Sequence, residues 1–290
     1  MDLKTKNKLK LDACKVRKGI IIGVYNAKSG HPGGSLSIAD IMTYLYLYKM
    51  NIDPKNPKME DRDRFVLSKG HCAPALYAAM ANRGFFDEEG LTKLRHIGSA
   101  LQGHPSMRLL DGVEASTGSL GQGISIATGM ALGAKLKGAD YNVYAVLGDG
   151  ELGEGQVWEA SMFASAKKLD NLILIVDNNN LQIDGTLEEV NSPYPIPEKF
   201  SAFGFNVQQI DGHDLDQIDE AINKAINTKN GKPNVIIAKT VKGKGVSFME
   251  NQCSWHGKAP NDEEYKIAMQ EIEEALEKAE KEVKIGRAHV

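Results

Sequence analysis

The sequence predicts an α/β fold, with a doubly wound, mostly parallel sheet and helices on both of its faces. Two apolar runs, residues 143–147 and 172–176, have the length and composition of strands that are buried on both faces. Residues 156–168 between them have the length of a crossover helix. In such a βαβ unit both strands end at the same edge of the sheet, where open α/β sheets bind ligands.

The remaining predicted elements alternate between helices and strands. Apolar residues at helical spacing from Leu9 to Val24 predict a first helix that ends before Gly30. Further helices are predicted over residues 37–49, 74–83, 87–97, 120–137 and 215–226, with a charged last helix around residues 267–278. Further strands are predicted over residues 64–68, 205–210 and 235–239. Because the only candidate linker, residues 191–197, is short, we expect one domain over residues 1–285 and a disordered tail over residues 286–290.

Composition and charge argue against several classes of function. The chain has 290 residues and a formal net charge of −3, without a basic patch that contains aromatic residues, so we expect no nucleic acid partner. No apolar run approaches the length of a membrane span, so we expect no membrane association. Cys14, Cys72 and Cys253 are far apart and odd in number, which favours a reducing cytoplasm over a disulfide framework.

A polar turn follows each strand of the βαβ unit, and the two turns suit a metal ion with a diphosphate. Mg²⁺ prefers oxygen ligands and often binds phosphate oxygens together with one or two protein groups. Asp149 offers a carboxylate, Asn179 an amide oxygen and Leu181 a backbone carbonyl. Gly148 and Gly150 let the backbone approach the phosphates because they lack a Cβ atom. The first turn alone could be an ordinary loop. A second polar turn follows the other strand of the same βαβ unit, and the two together favour a metal–diphosphate site.

Five histidines lie at turns beside glycine or proline: His31, His71, His104, His213 and His256. Loops at the carboxyl edge of a sheet often carry function. Any one of these residues could be a surface or structural histidine. Together they suit hydrogen bonding to sugar hydroxyls and proton transfer near neutral pH. Lys242 follows a predicted strand and would reach the same edge, where its charge would suit a diphosphate.

Seven motifs together resemble the N-terminal, diphosphate-binding domain of transketolase, a thiamine diphosphate enzyme. The resemblance extends over about residues 9–260, and the motifs occur in the family's order. They are Lys28-Ser-Gly-His-Pro-Gly, Leu67-Ser-Lys-Gly-His71, Gly103-His104-Pro105, Thr117-Gly-Ser-Leu-Gly-Gln-Gly123, Gly148-Asp-Gly-Glu-Leu-Gly-Glu-Gly155, Asp211-Gly-His-Asp214 and Ser254-Trp-His-Gly257. One departure is Gly34, where some relatives carry a hydroxyl residue close to the diphosphate.

The resemblance implies a thiamine diphosphate cofactor with Mg²⁺, or Ca²⁺ in its place, and a role for several residues. The implied metal ligands are Asp149, Asn179 and Leu181. The residues implied to contact the donor sugar and to catalyse the reaction are His31, His104 and His256. Cofactor contacts are implied for His71, Gly118, Ser119, Leu120, Gly150, Glu151, Asn179, Lys242 and His256. Glu154 corresponds to an acidic residue that the family places at a contact between subunits.

The resemblance further implies transfer of a two-carbon glycolaldehyde unit from a ketose phosphate to an aldose phosphate. A full transketolase continues with a pyrimidine-binding domain and a C-terminal domain, so we expect this chain to need a second subunit that carries them. The expected assembly is α₂β₂ and contains a homodimer of this chain, with sugar phosphates as substrates. Three alternatives remain open: half of a related thiamine diphosphate synthase that acts on pyruvate, a transketolase for an unusual sugar, and a non-catalytic cofactor-binding module.

Overall fold

One sheet of five strands forms the centre of the protein. The computed structural model describes residues 1–288, and the burial of side chains up to residue 285. The strands are β1 (Arg64–Leu67), β2 (Val143–Gly148), β3 (Leu172–Asn178), β4 (Asn206–Asp211) and β5 (Asn234–Lys239). They lie in the order β1-β2-β3-β5-β4, and each neighbouring pair is parallel. The predicted α/β fold class is therefore confirmed.

Helices cover both faces of this sheet. They are α1 (Leu3–Ala27), α2 (Pro32–Ser37), α3 (Ala39–Tyr44), α4 (Ala73–Arg83), α5 (Gln122–Lys137), α6 (Gly155–Ala166), α7 (Leu187–Val190), α8 (Ile196–Ala202), α9 (Leu215–Asn227) and α10 (Asp262–Ala288). One buried core lies between the sheet and α1, α3, α4 and α9, and includes Tyr144 and Ile175. A second core lies between the sheet and α5, α6 and α8, and includes Ala145 and Leu174. Successive residues of the central strands thus alternate between two apolar cores, which is why β2 and β3 are apolar throughout.

The helix predicted over residues 37–49 is divided in the structure. It begins earlier, at Pro32, because proline suits the first turn of a helix, where its missing N–H is not needed. It is interrupted at Ile38, where φ and ψ are −101° and 7°. It then ends in a π-helical turn, Leu45–Lys49. The chain directly after His31, which the sequence places at a turn, is therefore already helical.

The helix predicted over residues 87–97 is wrong in extent. Only a short 3₁₀ helix forms, Glu88–Lys93, and the chain then turns at Arg95, whose φ is 61°. Gly90 and Thr92 are both poor helix formers, so the apolar spacing of this segment alone does not maintain a helix. His96, which falls within the predicted helix, is instead exposed in the following loop.

The candidate linker, residues 191–197, leads directly into a helix of the same layer. It contains a cis Tyr194–Pro195 bond, and its last two residues already belong to α8, which packs against β4. At the other end, α10 continues to Ala288, so residues 286–288 of the predicted tail are helical. One glycine at position 286 costs a helix only about 1 kcal/mol. Residues 289–290 of that predicted tail lie outside the described residues.

None of the helices within residues 1–288 combines the length and the apolar character needed to cross a membrane.

Candidate active site

A cavity of about 320 Å³ opens at the carboxyl edge of the sheet, where the loops after β1, β2, β3 and β5 meet. Its volume is within the range of small-molecule sites. The predicted site residues that line it are His31, His71, Gly118, Leu120, Asp149, Gly150, Glu151, Asn179, Leu181, Lys242 and His256. Three others, His104, Ser119 and Glu154, lie outside the lining formed by the described part of the chain.

Asp149 is held at the end of β2 by donors from its own turn and from the end of β3. Its Oδ1 accepts from the Gly150 N–H at 2.8 Å, and its Oδ2 accepts from the Asn180 N–H at 2.6 Å and from Asn178 Nδ2 at 3.0 Å. The side chain is buried. Burial, together with the nearby charge of Asp177, raises the pKa of Asp149 to about 6. A cation beside this carboxylate would lower that pKa again, so the environment suits a metal ligand.

Lys69 and Asp177 form a buried ion pair beneath the cavity, and sequence reasoning missed both. Lys69 Nζ lies 2.5 Å from Asp177 Oδ2 and donates to the Gly34 carbonyl oxygen at 2.8 Å. Asp177 also accepts from Ser37 Oγ at 2.6 Å and from Thr240 Oγ1. The sequence did contain a signal for Asp177, which directly follows the apolar run of residues 172–176. An aspartate at the end of a strand that is buried on both faces needs a charged or hydrogen-bonding partner.

The amide of Asn179 is oriented by this ion pair. Its Nδ2 donates to Asp177 at 2.9 Å, so Oδ1 is the acceptor, and Oδ1 accepts from the Leu181 N–H at 3.1 Å. Lys242 Nζ lies 3.2 Å from the Leu181 carbonyl oxygen, so a positive charge is already accommodated at that oxygen. A carboxylate, an amide oxygen and a carbonyl are ligands of the kind that Mg²⁺ binds. The residues present therefore fit a divalent metal ion.

Four histidine rings gather at one side of the cavity, with His31 in the middle. The centroid of the His31 ring lies 5.1 Å from that of His71, 5.4 Å from that of His256 and 6.3 Å from that of His104. Burial, followed by the charge of Arg95, lowers the pKa of His31 to about 4. Burial also lowers the pKa values of His71 and His104. These imidazoles are therefore neutral at pH 7 and each offers one donor and one acceptor.

His256 and Lys242 form a pair at the same cavity. Burial, and next the charge of Lys242, lowers the pKa of His256 to about 3. Nδ1 of His256 lies 2.9 Å from Lys242 Nζ and therefore accepts from the ammonium group. The proton of the neutral ring is then on Nε2, because only one ring nitrogen can be the acceptor. His213, by contrast, lies outside the cavity, with Nδ1 2.7 Å from Asp40 Oδ2.

The carboxylate of Glu151 is engaged with backbone and hydroxyl groups of the surrounding loops. Oε1 accepts from the Gly121 N–H at 2.8 Å and from Ser68 Oγ, and Oε2 accepts from the Gly148 N–H at 3.1 Å. Glu151 thus connects the loops after β1 and β2 to the start of α5. Its carboxylate supports the cavity wall through these bonds.

Two glycines allow the cavity walls to pack closely. Gly118 has a φ of 144°, and a Cβ atom there would lie 2.9 Å from Cδ2 of His104. This contact places His104 directly behind the Gly118 backbone. A Cβ atom at Gly34 would lie 2.8 Å from Cys72 Sγ. The buried Cys72 side chain therefore explains why no hydroxyl residue stands at position 34.

A parallel sheet with carboxylate, amide, lysine and histidine groups around a cavity at its carboxyl edge defines a cofactor-binding α/β domain. Residues 12–282 match the family model described as "Transketolase, thiamine diphosphate binding domain". The chain belongs to this family, and the predicted resemblance to transketolase and the thiamine diphosphate-binding fold are confirmed.

Proteins similar to this chain include two that are named as transketolase subunits. One is a subunit of the apulose-4-phosphate transketolase of Phocaeicola vulgatus, which is 44% identical over 274 residues, and the match covers 94% of this chain and 97% of that protein. The other is the 6-deoxy-6-sulfo-D-fructose transketolase subunit SqwG of a Clostridium species, which is 47% identical over 244 residues, covering 84% and 88% of the two chains. The interpretation of this chain as an enzyme subunit of the transketolase type is therefore confirmed.

Solved structures of complete transketolases contain the same fold as one part of a longer chain. The transketolase from Campylobacter jejuni superposes with a TM-score of 0.85 at 35% identity, and the match covers 97% of this chain and 47% of that one. The chain thus spans about half the length of this solved relative.

Proposed function

We propose that this chain binds thiamine diphosphate through a divalent metal ion and, with a second subunit, transfers a two-carbon glycolaldehyde unit between sugar phosphates. The observation that carries the proposal is the meeting of oxygen donors from the ends of β2 and β3 with Lys242 and three histidine rings at one cavity. The cofactor, when bound, supplies a carbon nucleophile that can break and form carbon–carbon bonds.

The metal and the diphosphate would be held at the sheet edge. We assign the Asp149 carboxylate, the Asn179 Oδ1 and the Leu181 carbonyl to Mg²⁺, with Ca²⁺ as an alternative. Lys242 and His71, both at the same cavity, would contact the diphosphate, and the Gly118–Leu120 backbone, including Ser119, would complete its surroundings. Gly150 would contact the cofactor at this diphosphate site, and Glu151 would support the site through its hydrogen bonds to the surrounding backbone.

The histidines would orient the sugar and move protons. Nε2 of His256 carries the ring proton and can donate to a sugar oxygen, because Nδ1 accepts from Lys242 at 2.9 Å. His31 Nδ1 is buried and has no hydrogen-bond partner among the described residues, so it is available to a substrate hydroxyl. His104 lies next to Gly118, with its ring 6.3 Å from that of His31, and would contact the sugar beside His31.

A second copy of this chain would fit the exposed face of α5 and α6. Ile126 on α5 and Met162 and Phe163 on α6 are apolar and exposed by 37%, 59% and 43%. Within the described chain, and apart from the adjacent backbone of α5 itself, no atom lies within 4 Å of a Cβ added at Gly129 or Gly133, so another backbone can approach there. Glu154, exposed just before α6, would lie at this contact. We therefore favour a homodimer of this chain inside an α₂β₂ assembly.

The second subunit would supply the pyrimidine-binding and C-terminal domains. The proposal is supported by the match over nearly the whole length of a protein named as a transketolase subunit. We place the protein in the cytoplasm, because Cys14, Cys72 and Cys253 are all free thiols. Apulose 4-phosphate and 6-deoxy-6-sulfofructose, named for the two relatives, belong in the panel of candidate sugars.

Calorimetric titration of the full chain with thiamine diphosphate tests the cofactor site. We expect binding in Mg²⁺ that is lost in excess chelator and in the Asp149→Ala variant. Asp140→Ala is the matched control, because Asp140 is an exposed aspartate just before β2, at the opposite edge of the sheet. Equal binding by Asp149→Ala and the wild type would contradict the metal assignment.

Reconstitution tests the reaction. With a second chain that carries the complementary domains, we expect aldose phosphate to be released from xylulose 5-phosphate and no turnover of pyruvate. Turnover of sugar by this chain alone would contradict the two-subunit proposal. Cofactor binding without turnover under any partner would favour the non-catalytic alternative.

A further inference from the structure

A buried cluster of Arg17, Asp40 and His213 lies beside the active-site loop that follows β5. Arg17 on α1 binds both carboxylate oxygens of Asp40 on α3, at 3.1 Å for Nη1–Oδ1 and 2.5 Å for Nη2–Oδ2. Asp40 Oδ2 also lies 2.7 Å from Nδ1 of His213, in the turn between β4 and α9. Burial acts to raise the pKa of Asp40, but the Arg17 charge and the hydrogen bonds from His213 and Arg17 together outweigh burial and lower that pKa to about 2. The cluster therefore contains a permanently ionised carboxylate.

The cluster holds the loop at two points, one on each side of Lys242. The Val241 N–H donates to Nε2 of His213 at 2.9 Å. The Arg17 Nε–H donates to the carbonyl oxygen of Lys244 at 3.1 Å. Lys242 between them is 1% exposed, although a lysine side chain has many rotamers to lose on burial. Its position therefore depends on a loop backbone that is fixed from outside the cavity.

The two partners of His213 determine its protonation pattern. Because Nε2 accepts from a backbone N–H, the ring proton is on Nδ1, which donates to Asp40. A side chain that joins a carboxylate to an N–H group needs one donor and one acceptor, and a neutral imidazole supplies both. An apolar side chain of similar size would leave the Val241 N–H and one Asp40 oxygen without these bonds.

We propose that His213 is a positioning residue, which links the fixed carboxylate of Asp40 to the Val241 amide and so holds the Lys242 ammonium at the cavity. The inference rests on the proposed function, since the placement of Lys242 matters for activity only if the cavity binds a diphosphate. It assigns a role to the Asp211-Gly-His-Asp214 motif, of which no part lines the cavity formed by the described residues. Such preorganisation lowers the entropy lost when a ligand binds.

Residue-resolved hydrogen exchange on the full chain without ligand tests the hydrogen bond itself. In the wild type, we expect the Val241 amide to exchange at least tenfold more slowly than amides of exposed loops. This protection should be lost in His213→Leu and partly kept in His213→Gln, because a side-chain amide retains one donor and one acceptor. A Val241 amide that exchanges as fast as an exposed loop amide in the wild type would overturn the proposal, even if His213→Leu fails to fold.

Titration with thiamine diphosphate and Mg²⁺ then tests the consequence for the site. We expect at least tenfold weaker binding by His213→Leu and an intermediate loss for His213→Gln. Leu169→Ala is the control for general destabilisation, because Leu169 is buried just before β3, at the opposite edge of the sheet, and this variant should keep wild-type affinity. Wild-type affinity in His213→Leu would refute the positioning role. If the wild type does not bind the cofactor, the proposed function fails, and the exchange measurement alone decides whether His213 holds the loop.

Discussion

Replacement of Lys69 by methionine should lower the free energy of unfolding by about 3–5 kcal/mol, because it leaves the Asp177 carboxylate buried without its counter-ion. Lys69 is 2% exposed and Asp177 is fully buried, with 2.5 Å between Nζ and Oδ2. Burial acts to raise the pKa of Asp177, but the charge and hydrogen bond of Lys69, together with the hydrogen bonds from Ser37 and Thr240, outweigh burial and lower that pKa. Without Lys69 the same burial penalises the ionised carboxylate, and the remaining side-chain donors, Ser37, Thr240 and Asn179, carry no charge.

Urea unfolding at pH 7 measures this loss, and a thermal scan should show a decrease in melting temperature of roughly 5–8 °C for a chain of this size. The double variant Lys69→Met with Asp177→Asn should be more stable than Lys69→Met alone by at least about 2 kcal/mol, because both buried charges are then absent. Lys135→Met is the control. Its ion pair with Asp170 is partly exposed and should contribute less than about 1 kcal/mol. Equal losses for Lys69→Met and Lys135→Met would refute the reasoning.

Three further outcomes are expected. Gly123→Ala should destabilise the chain by about 1–3 kcal/mol in urea unfolding, because the new Cβ would lie 2.6 Å from the Ser68 Cα; wild-type stability would contradict this close packing. Gly129→Ala should stabilise the monomer by about 0.5–1 kcal/mol, since no side chain or distant segment of the described chain lies near the added Cβ atom. If α5 faces a second copy of the chain, the same substitution should weaken self-association, as measured by ultracentrifugation. Burial lowers the pKa of His31 to about 4. Between about pH 4 and 6.5 the unfolded chain therefore binds more protons at this residue than the folded chain does, so the unfolding free energy should fall as the pH decreases from about 6.5 to 4. His31→Asn should reduce the slope of the unfolding free energy against pH, by an amount that corresponds to at most about one bound proton. Urea titrations at several pH values measure this slope, and an unchanged slope would show that His31 does not cause the loss of stability in acid.

The central strands and the turns that follow them can be predicted because their signals are local. A strand buried between two cores must be apolar throughout, so residues 143–147 and 172–176 are recognisable, and the structure extends them by one residue to Gly148 and by two residues to Asn178. The polar residues directly after such strands must lie at the carboxyl edge. For this reason Asp149, Asn179 and Lys242 can be assigned to one edge without knowledge of their contacts.

Other features depend on contacts between distant segments, which no local pattern reports. Lys69 and Asp177 are 108 residues apart in the chain, and their pairing becomes visible only when β1 and β3 are in place. The carboxylate of Glu151, a residue predicted to contact the cofactor, accepts hydrogen bonds from Gly121 before α5, Gly148 at the end of β2 and Ser68 after β1, which only the folded chain brings together. The helix predicted over residues 87–97 fails for a similar reason, since the apolar residues of that segment pack onto α1 and α4 without needing a regular helix.

The strand order has a consequence for how the protein would respond to its ligand. The groups around the cavity follow β1, β2, β3 and β5, and parallel neighbours can be joined only by long crossovers. The complete cavity therefore forms only after all four strands have paired, which requires the slow, non-local steps of folding. A molecule that occupies the cavity would in turn oppose separation of every one of these strands, so saturation at 100 times its dissociation constant would add about 2.7 kcal/mol to the whole domain. Protection from proteases should then extend to segments far from the cavity, such as the amino-terminal ends of the same strands.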